Sequence, residues 1–234
     1  TSESSLKKIQ KRRMITMSKK IYLSPSDQVR NLYAYGNTNE AVQCRKIAAA
    51  CKVALERCGF EVKTNYKDGS NAMYERVAES NNWGADLHVC IHTNAFNGKV
   101  SGTRLMAYDT SGKGYKACKA IFNALAPITP GKSENISAHP NLYEIRKVNA
   151  PTAYIECEFH DVPSVAKWIV EHTTKIGEAI AKGICNYFGI AYKSPAPAPK
   201  PTTTNGVIYQ VVTGSFSAKK NADKYGKDAV KKFE

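Results

Sequence analysis

The stretch Asp86-Leu87-His88-Val89-Cys90-Ile91-His92-Thr93 (DLHVCIHT) is the strongest buried-strand signal in the chain. Immediately before it, Ala72–Trp83 reads as a helix stopped by Gly84. Further back, Phe60–Thr64 alternates as a strand. Glu40–Cys58 carries helical periodicity through Val42, Ile47, Cys51, Val53 and Leu55, with Gly59 at the stop. Lys20–Ser24 ends in Pro25 as a first strand, and Ser26–Asn39 is a long polar loop. After the central stretch come a strand at Gly102–Tyr108, a helix at Gly114–Leu125 closed by Pro127 and Pro130, and strands at Leu142–Arg146 and Ala153–Phe159. A long amphipathic helix at Val165–Phe188 ends the series. Strands alternating with helices of this length predict an α/β domain, a mainly parallel twisted sheet with helices on both faces.

Composition divides the 234 residues into four parts. Residues 1–19 form a basic N-terminal extension, 20–192 the α/β domain, and 193–205 a Pro/Thr-rich linker (SPAPAPKPTTTN at its heart). Residues 206–234 open with an alternating strand, Val207–Thr213, and continue into a Lys/Ala-rich helix, an incomplete small α+β module too short to bury a core alone. Net charge is +14, but it sits at the ends: seven Lys/Arg against one acid in residues 1–20, and eight Lys against three acids in 193–234. A near-neutral body with basic ends argues for adhesion to a polyanion rather than a nucleic-acid groove. No apolar run reaches the length of a membrane span, and no apolar segment follows the basic start, so neither a membrane anchor nor a signal peptide is expected. Met14 and Met17 precede the first strand, and residues 1–16 read as upstream of the fold. Seven cysteines is an odd number, so at least one thiol is free. Cys44, Cys51 and Cys58 recur every seven residues on one helix face and read as small core hydrophobes of a chain made in a reducing compartment.

In open α/β sheets reactive groups gather at the carboxyl ends of strands. Glu40 opens the first helix, His92 ends the buried strand and is followed by Thr93-Asn94, and Glu156 lies near the end of Ala153–Phe159. One His and one Glu to hold a metal with an open position, plus an unligated carboxylate to take a proton, is the donor set of a mononuclear zinc hydrolase. A hydrogen-bonded structural His92 accounts for the spacing equally well. His88 shares a face with His92 but stands about 13 Å away along the strand, too far for one ion.

Lys20–Tyr192 resembles the zinc-dependent N-acetylmuramoyl-L-alanine amidases of the amidase-3 type, through KIYLSPS, GNTNE with Glu40, DLHVCIHTNA with His92 and PTAYIECEFHD with Glu156. The resemblance implies one zinc ion, Glu40 and His92 as ligands and Glu156 as the catalytic residue, acting on the amide between glycan and stem peptide in peptidoglycan. It also implies a His at the end of the opening motif, whereas this chain reads Ser24-Pro25-Ser26-Asp27-Gln28 and has no His before His88. Asp27 is the expected third ligand, ahead of Gln28 and of a site completed by water or substrate; Asn31, like Gln28, is a weaker substitute through its carbonyl oxygen, and His139 and His160 lie near the site's edge. Asp27 would give a site of two carboxylates and one His. Asn94 and Arg146 are the substrate-binding candidates, and Glu158 has no assigned role. Residues Tyr209–Phe216 with Ala222 resemble the start of a sporulation-related (SPOR) repeat, which binds peptidoglycan glycan strands.

The expected function is therefore that of a peptidoglycan amidase of autolysin, sporulation or endolysin type, a monomer acting at the cell wall, outside the cell or after lysis. The rival is a non-catalytic wall-binding protein with a decayed metal site. A nucleic-acid-binding role is disfavoured, because no phosphate-cradling glycine loop follows a strand.

Overall fold

Successive side chains of a strand point to opposite faces of its sheet. In the central strand β3 (Leu87–Asn94) this puts Leu87, Val89 and Ile91 on one face and His88, Cys90 and His92 on the other. The structure, a computed structural model, describes residues 18–196 except 70 and 133. Around β3 it places β1 (Lys20–Pro25), β2 (Glu61–Thr64), β4 (Arg104–Ala107), β5 (Asn135–Ala138) and β6 (Thr152–Phe159) in the order β2-β1-β3-β6-β4-β5. All neighbours pair in parallel except β4 with β6. The expected α/β class and mainly parallel sheet are what form.

The register gives the sheet two unlike faces. Ile21, Leu23, Val89, Ile91, Leu105, Ala107, Ala153, Ile155 and Cys157 are fully buried on the apolar one. They pack against α1 (Glu40–Arg57) and α3 (Lys113–Leu125), with α6 (Thr173–Phe188) wedged between those two helices. α6 fits because it presents glycine at both crossings. A Cβ at Gly177 would lie 2.6 Å from the Ile47 carbonyl oxygen, and one at Gly183 would lie 2.4 Å from Ile121 Cα. All seven cysteines are free and buried, with Cys44 and Cys51 on α1 and Cys58 at its C-terminal cap among the core residues.

Tyr22, Ser24, His88, Cys90, His92, Tyr154 and Glu156 share the opposite, polar face through the register pairs Tyr22–His88, Ser24–Cys90, Cys90–Tyr154 and His92–Glu156. α2 (Ala72–Trp83) and α4 (Tyr143–Lys147) cover part of it, so helices do lie on both faces.

Three elements depart from the sequence reading. Leu142–Arg146, expected as a strand, lies in α4, where Arg146 N donates to Leu142 O at 2.9 Å and Val148 N to Glu144 O at 3.3 Å. The turn of helix swings Glu144 inward, and burial of that carboxylate decides the local structure. The single helix expected over Val165–Phe188 is two, α5 (Pro163–Glu171) and α6, broken at His172. The His172 ring stacks on Trp168 and its Nδ1 lies 2.8 Å from Trp168 O, a carbonyl that a continuous helix would use itself. β5 was not anticipated, having a single large apolar residue, Ile136.

The chain's last described stretch closes onto α1. Arg57 Nε donates to Lys193 O at 2.8 Å and its Nη2 lies 2.5 Å from Glu178 Oε2, with Tyr192 hydroxyl on the same carboxylate. Residues 1–17 of the expected extension, 197–205 of the expected linker and the whole expected module 206–234 lie outside the described residues. No helix among the described residues is long and apolar enough to cross a membrane.

Candidate active site

Glu40 is the first residue of α1, behind the Asn39 cap whose side chain accepts from Val42 N at 3.0 Å. A carboxylate at a helix N-terminus is electrostatically favoured. Here it is also buried: Oε1 lies 2.8 Å from His92 Nδ1, and Oε2 accepts from Asn31 Nδ2 at 2.7 Å. Burial alone would raise its pKa, but hydrogen bonds from His92, Asn31 and Ser26 outweigh that and hold it below the usual value. Burial likewise opposes charge on His92, and the contact with Glu40, helped by Glu156, carries its pKa upward instead. Glu156 stands opposite His92 in the register of β3 with β6. Its Oε2 is buried with no hydrogen-bond partner, as is His92 Nε2. Burial, opposed by His92 and reinforced by Glu40, pushes Glu156 up to about 7.

The structure does not bring Asp27 to this group. Asp27 Oδ2 lies 3.2 Å from Arg76 Nη2, and no cluster of His, Cys, Asp or Glu ligand atoms within 4.8 Å among the described residues includes it. The neighbour of His92 is Gln28, whose Nε2 sits 3.3 Å from Nδ1. Asn31 fixes that orientation. One Asn31 amide nitrogen donates both to Glu40 Oε2 and to Gln28 Oε1, each at 2.7 Å, which turns the Gln28 nitrogen toward the imidazole. His92 Nδ1 thus meets an obligatory acceptor, Glu40, and an obligatory donor, Gln28, at once. A divalent cation shared by Glu40 and His92 would remove the conflict if Gln28 turned its carbonyl oxygen toward it. The donor set of carboxylate, imidazole and amide oxygen suits zinc's tolerance for N and O ligands.

A second cluster fills the polar face beneath. His88, Cys90 and Glu144 are all buried, with ligand atoms within 4.8 Å of one another. Here the positive charge is already present. Arg76, itself 1% exposed, donates from Nε to Ser24 Oγ at 2.9 Å, Ser24 donates to Glu144 Oε1, and His88 Nε2 lies 3.2 Å from the same oxygen. Burial disfavours the Glu144 carboxylate, but its hydrogen bonds with His88 and Ser24 keep its pKa low. Tyr22 stacks on His88 and donates to Glu79 at 2.6 Å.

Of the other expected residues, Asn94 uses Oδ1 to accept from Ala95 N and its carbonyl to accept from His160 N. Arg146 is exposed on α4. His160 is buried, stacked on Tyr33, with Nδ1 3.0 Å from Thr93 Oγ1; it supports the end of β3, and burial keeps its pKa low. His139 is exposed at the end of β5, with Nε2 3.1 Å from Ser137 Oγ. Glu158 is structural: it accepts from Gly102 N and Gly131 N, each at 2.7 Å, and ties two loops to β6. Sequence reasoning missed Asn31 as the clamp, the Arg76–Glu144 network, and Tyr154, which stacks on His92 with ring centroids 4.6 Å apart.

The family model described as N-acetylmuramoyl-L-alanine amidase (Amidase_3) matches residues 28–186, which is more than half of the chain. The chain belongs to this family. The matched span holds Gln28, Glu40, His92 and Glu156, and the domain is an enzyme of the N-acetylmuramoyl-L-alanine amidase type. A sporulation-specific N-acetylmuramoyl-L-alanine amidase of Bacillus subtilis is 25% identical over 214 residues, covering 90% of this chain and 80% of the relative. A 38.4 kDa protein of Clostridium perfringens is 27% identical over 172 residues, 70% of this chain; the chain spans 50% of that relative's length. Among solved structures, the catalytic domain of the amidase CwlV from Paenibacillus polymyxa aligns with a TM-score of 0.66 at 17% identity, covering 74% of this chain and 99% of that one. The CwlD amidase of Clostridioides difficile aligns at 0.63 and 21%, covering 74% and 99%. These two likenesses establish the amidase fold.

Proposed function

We propose that this amidase domain hydrolyses the bond between N-acetylmuramic acid and L-alanine in peptidoglycan with one zinc ion held by Glu40, His92 and Gln28. The observation that carries the reading is the unpartnered, buried Glu156 Oε2 directly across the sheet from His92, beside Glu40. When bound, zinc supplies an electrophile that polarises a carbonyl and makes water acidic. Glu156, with a pKa near 7 in the metal-free protein, is suited to take a proton from the attacking water on Oε2 and return it to the L-alanine nitrogen as the amide breaks. Asn31 holds Glu40 in place. The basic segment 206–234, with its SPOR-like opening, serves as a wall-adhesion element in this proposal, and the protein acts as a monomer at the cell wall.

The test is digestion of purified sacculi by the zinc-loaded protein. New L-alanine amino groups without new reducing sugar ends are expected, and none from Glu156→Gln. Reducing ends in place of amines, or full turnover by Glu156→Gln, would remove this reading.

A further inference from the structure

We propose that Tyr154 is a further catalytic residue, its phenol hydroxyl donating a hydrogen bond to the carbonyl oxygen of the amide under attack; this rests on the amidase reading above. Tyr154 lies two residues before Glu156 in β6, so the pleat puts both side chains on the polar face. Its ring lies nearly flat against His92, 17° from parallel, which carries the phenol to the residues proposed to hold the metal. A phenylalanine would make the same stack. What the hydroxyl adds has no use within the fold: among the described residues it meets no hydrogen-bond partner. Tyrosine hydroxyls in such half-buried places ordinarily find a partner.

The surrounding charges say which group it serves. A phenol hydroxyl carries one proton to donate. Glu156 and Glu40 are acceptors and suit water and the amide N–H. A neutral donor beside them suits the one acceptor of the scissile group, its carbonyl oxygen, which gains negative charge as the bond is attacked.

The experiment compares wild type with Tyr154→Phe, which keeps the stack and the volume. In the zinc-loaded protein the variant is expected to lose about 10- to 100-fold in kcat on a soluble muropeptide. KM, zinc stoichiometry and melting temperature are expected to match wild type. In the Glu156→Gln background, calorimetric affinity for the uncleaved muropeptide is expected to stay within about twofold on adding Tyr154→Phe, because the bond strengthens only at the transition state. Wild-type kcat in Tyr154→Phe overturns the proposal while leaving the amidase reading intact. Loss of zinc from Tyr154→Phe overturns it in favour of a purely supporting role for His92. Absence of both cleavage and muropeptide binding in wild type overturns the amidase reading and this proposal with it.

Discussion

A ring nitrogen that faces a carboxylate oxygen and an amide nitrogen together cannot satisfy both, and His92 Nδ1 is in that position. The arrangement favours a cation there, and it separates two adjacent loop residues by role. Gln28→Ala is expected to lower zinc occupancy severalfold, whereas Asp27→Ala keeps it, as read by metal content after dialysis against a weak chelator. The reverse pattern would return Asp27 to the ligand set. Glu156 gives a second expectation. Its pKa is raised from 4.5 to about 7 on folding, so the folded state holds its proton more tightly than the unfolded chain. The associated stability is present below pH 4.5 and is lost as pH rises through 7. In chelator-treated protein, Glu156→Gln is therefore expected to match wild type near pH 4 and exceed it by about 3 kcal/mol at pH 8 in urea unfolding. Equal pH dependence in the two proteins would show that Glu156 is not held protonated. That Glu40, His92 and Glu156 meet was legible in the sequence, because each sits at the end of a strongly patterned element. Gln28 and Asp27 were not separable, because their contacts are set by the hydrogen bonds of Asn31 and by Arg76 on a distant helix, neither of which the residue types of the loop declare.

At the scale of elements, α6 shows packing overriding propensity. Replacing an interior helical glycine by alanine ordinarily gains up to about 1 kcal/mol. At Gly183 the new methyl would meet Ile121 Cα and the Ala120 carbonyl oxygen, backbone that cannot turn aside. Gly183→Ala is expected to destabilise by a net of about 2 kcal/mol, visible as a lowered urea midpoint with unchanged slope; a raised midpoint would mean that α6 is not seated against α3. The strands and helices with clean periodicity, β1, α1, α2, β3 and β6, were readable to within a few residues. α4 was not, because its local sequence alternates while its conformation is fixed by a partner network through Glu144. The break between α5 and α6 was hidden for a similar reason: apolar spacing continues across His172, and only the ring's contact with Trp168 interrupts the backbone.

Over the whole molecule, the described fold is closed by Tyr192 and Lys193 against α1. Removing residues 194–234 is expected to leave the melting temperature unchanged and soluble-muropeptide cleavage intact while weakening sedimentation with sacculi. Unaltered sedimentation would deny the tail its adhesive role, and a lowered melting temperature would place the boundary further along the chain. The same view gives the two-faced sheet another meaning. Sliding β3 by one residue would press Leu87, Val89 and Ile91 against Arg76 and Glu144 and drive His88 and His92 into the oily layer over α1 and α3. The residues proposed for chemistry thus also keep the reading frame of the strand. A molecule whose pairing has slipped loses both its packing and its reactive centre at one stroke, so turnover becomes a faithful reporter of correct assembly.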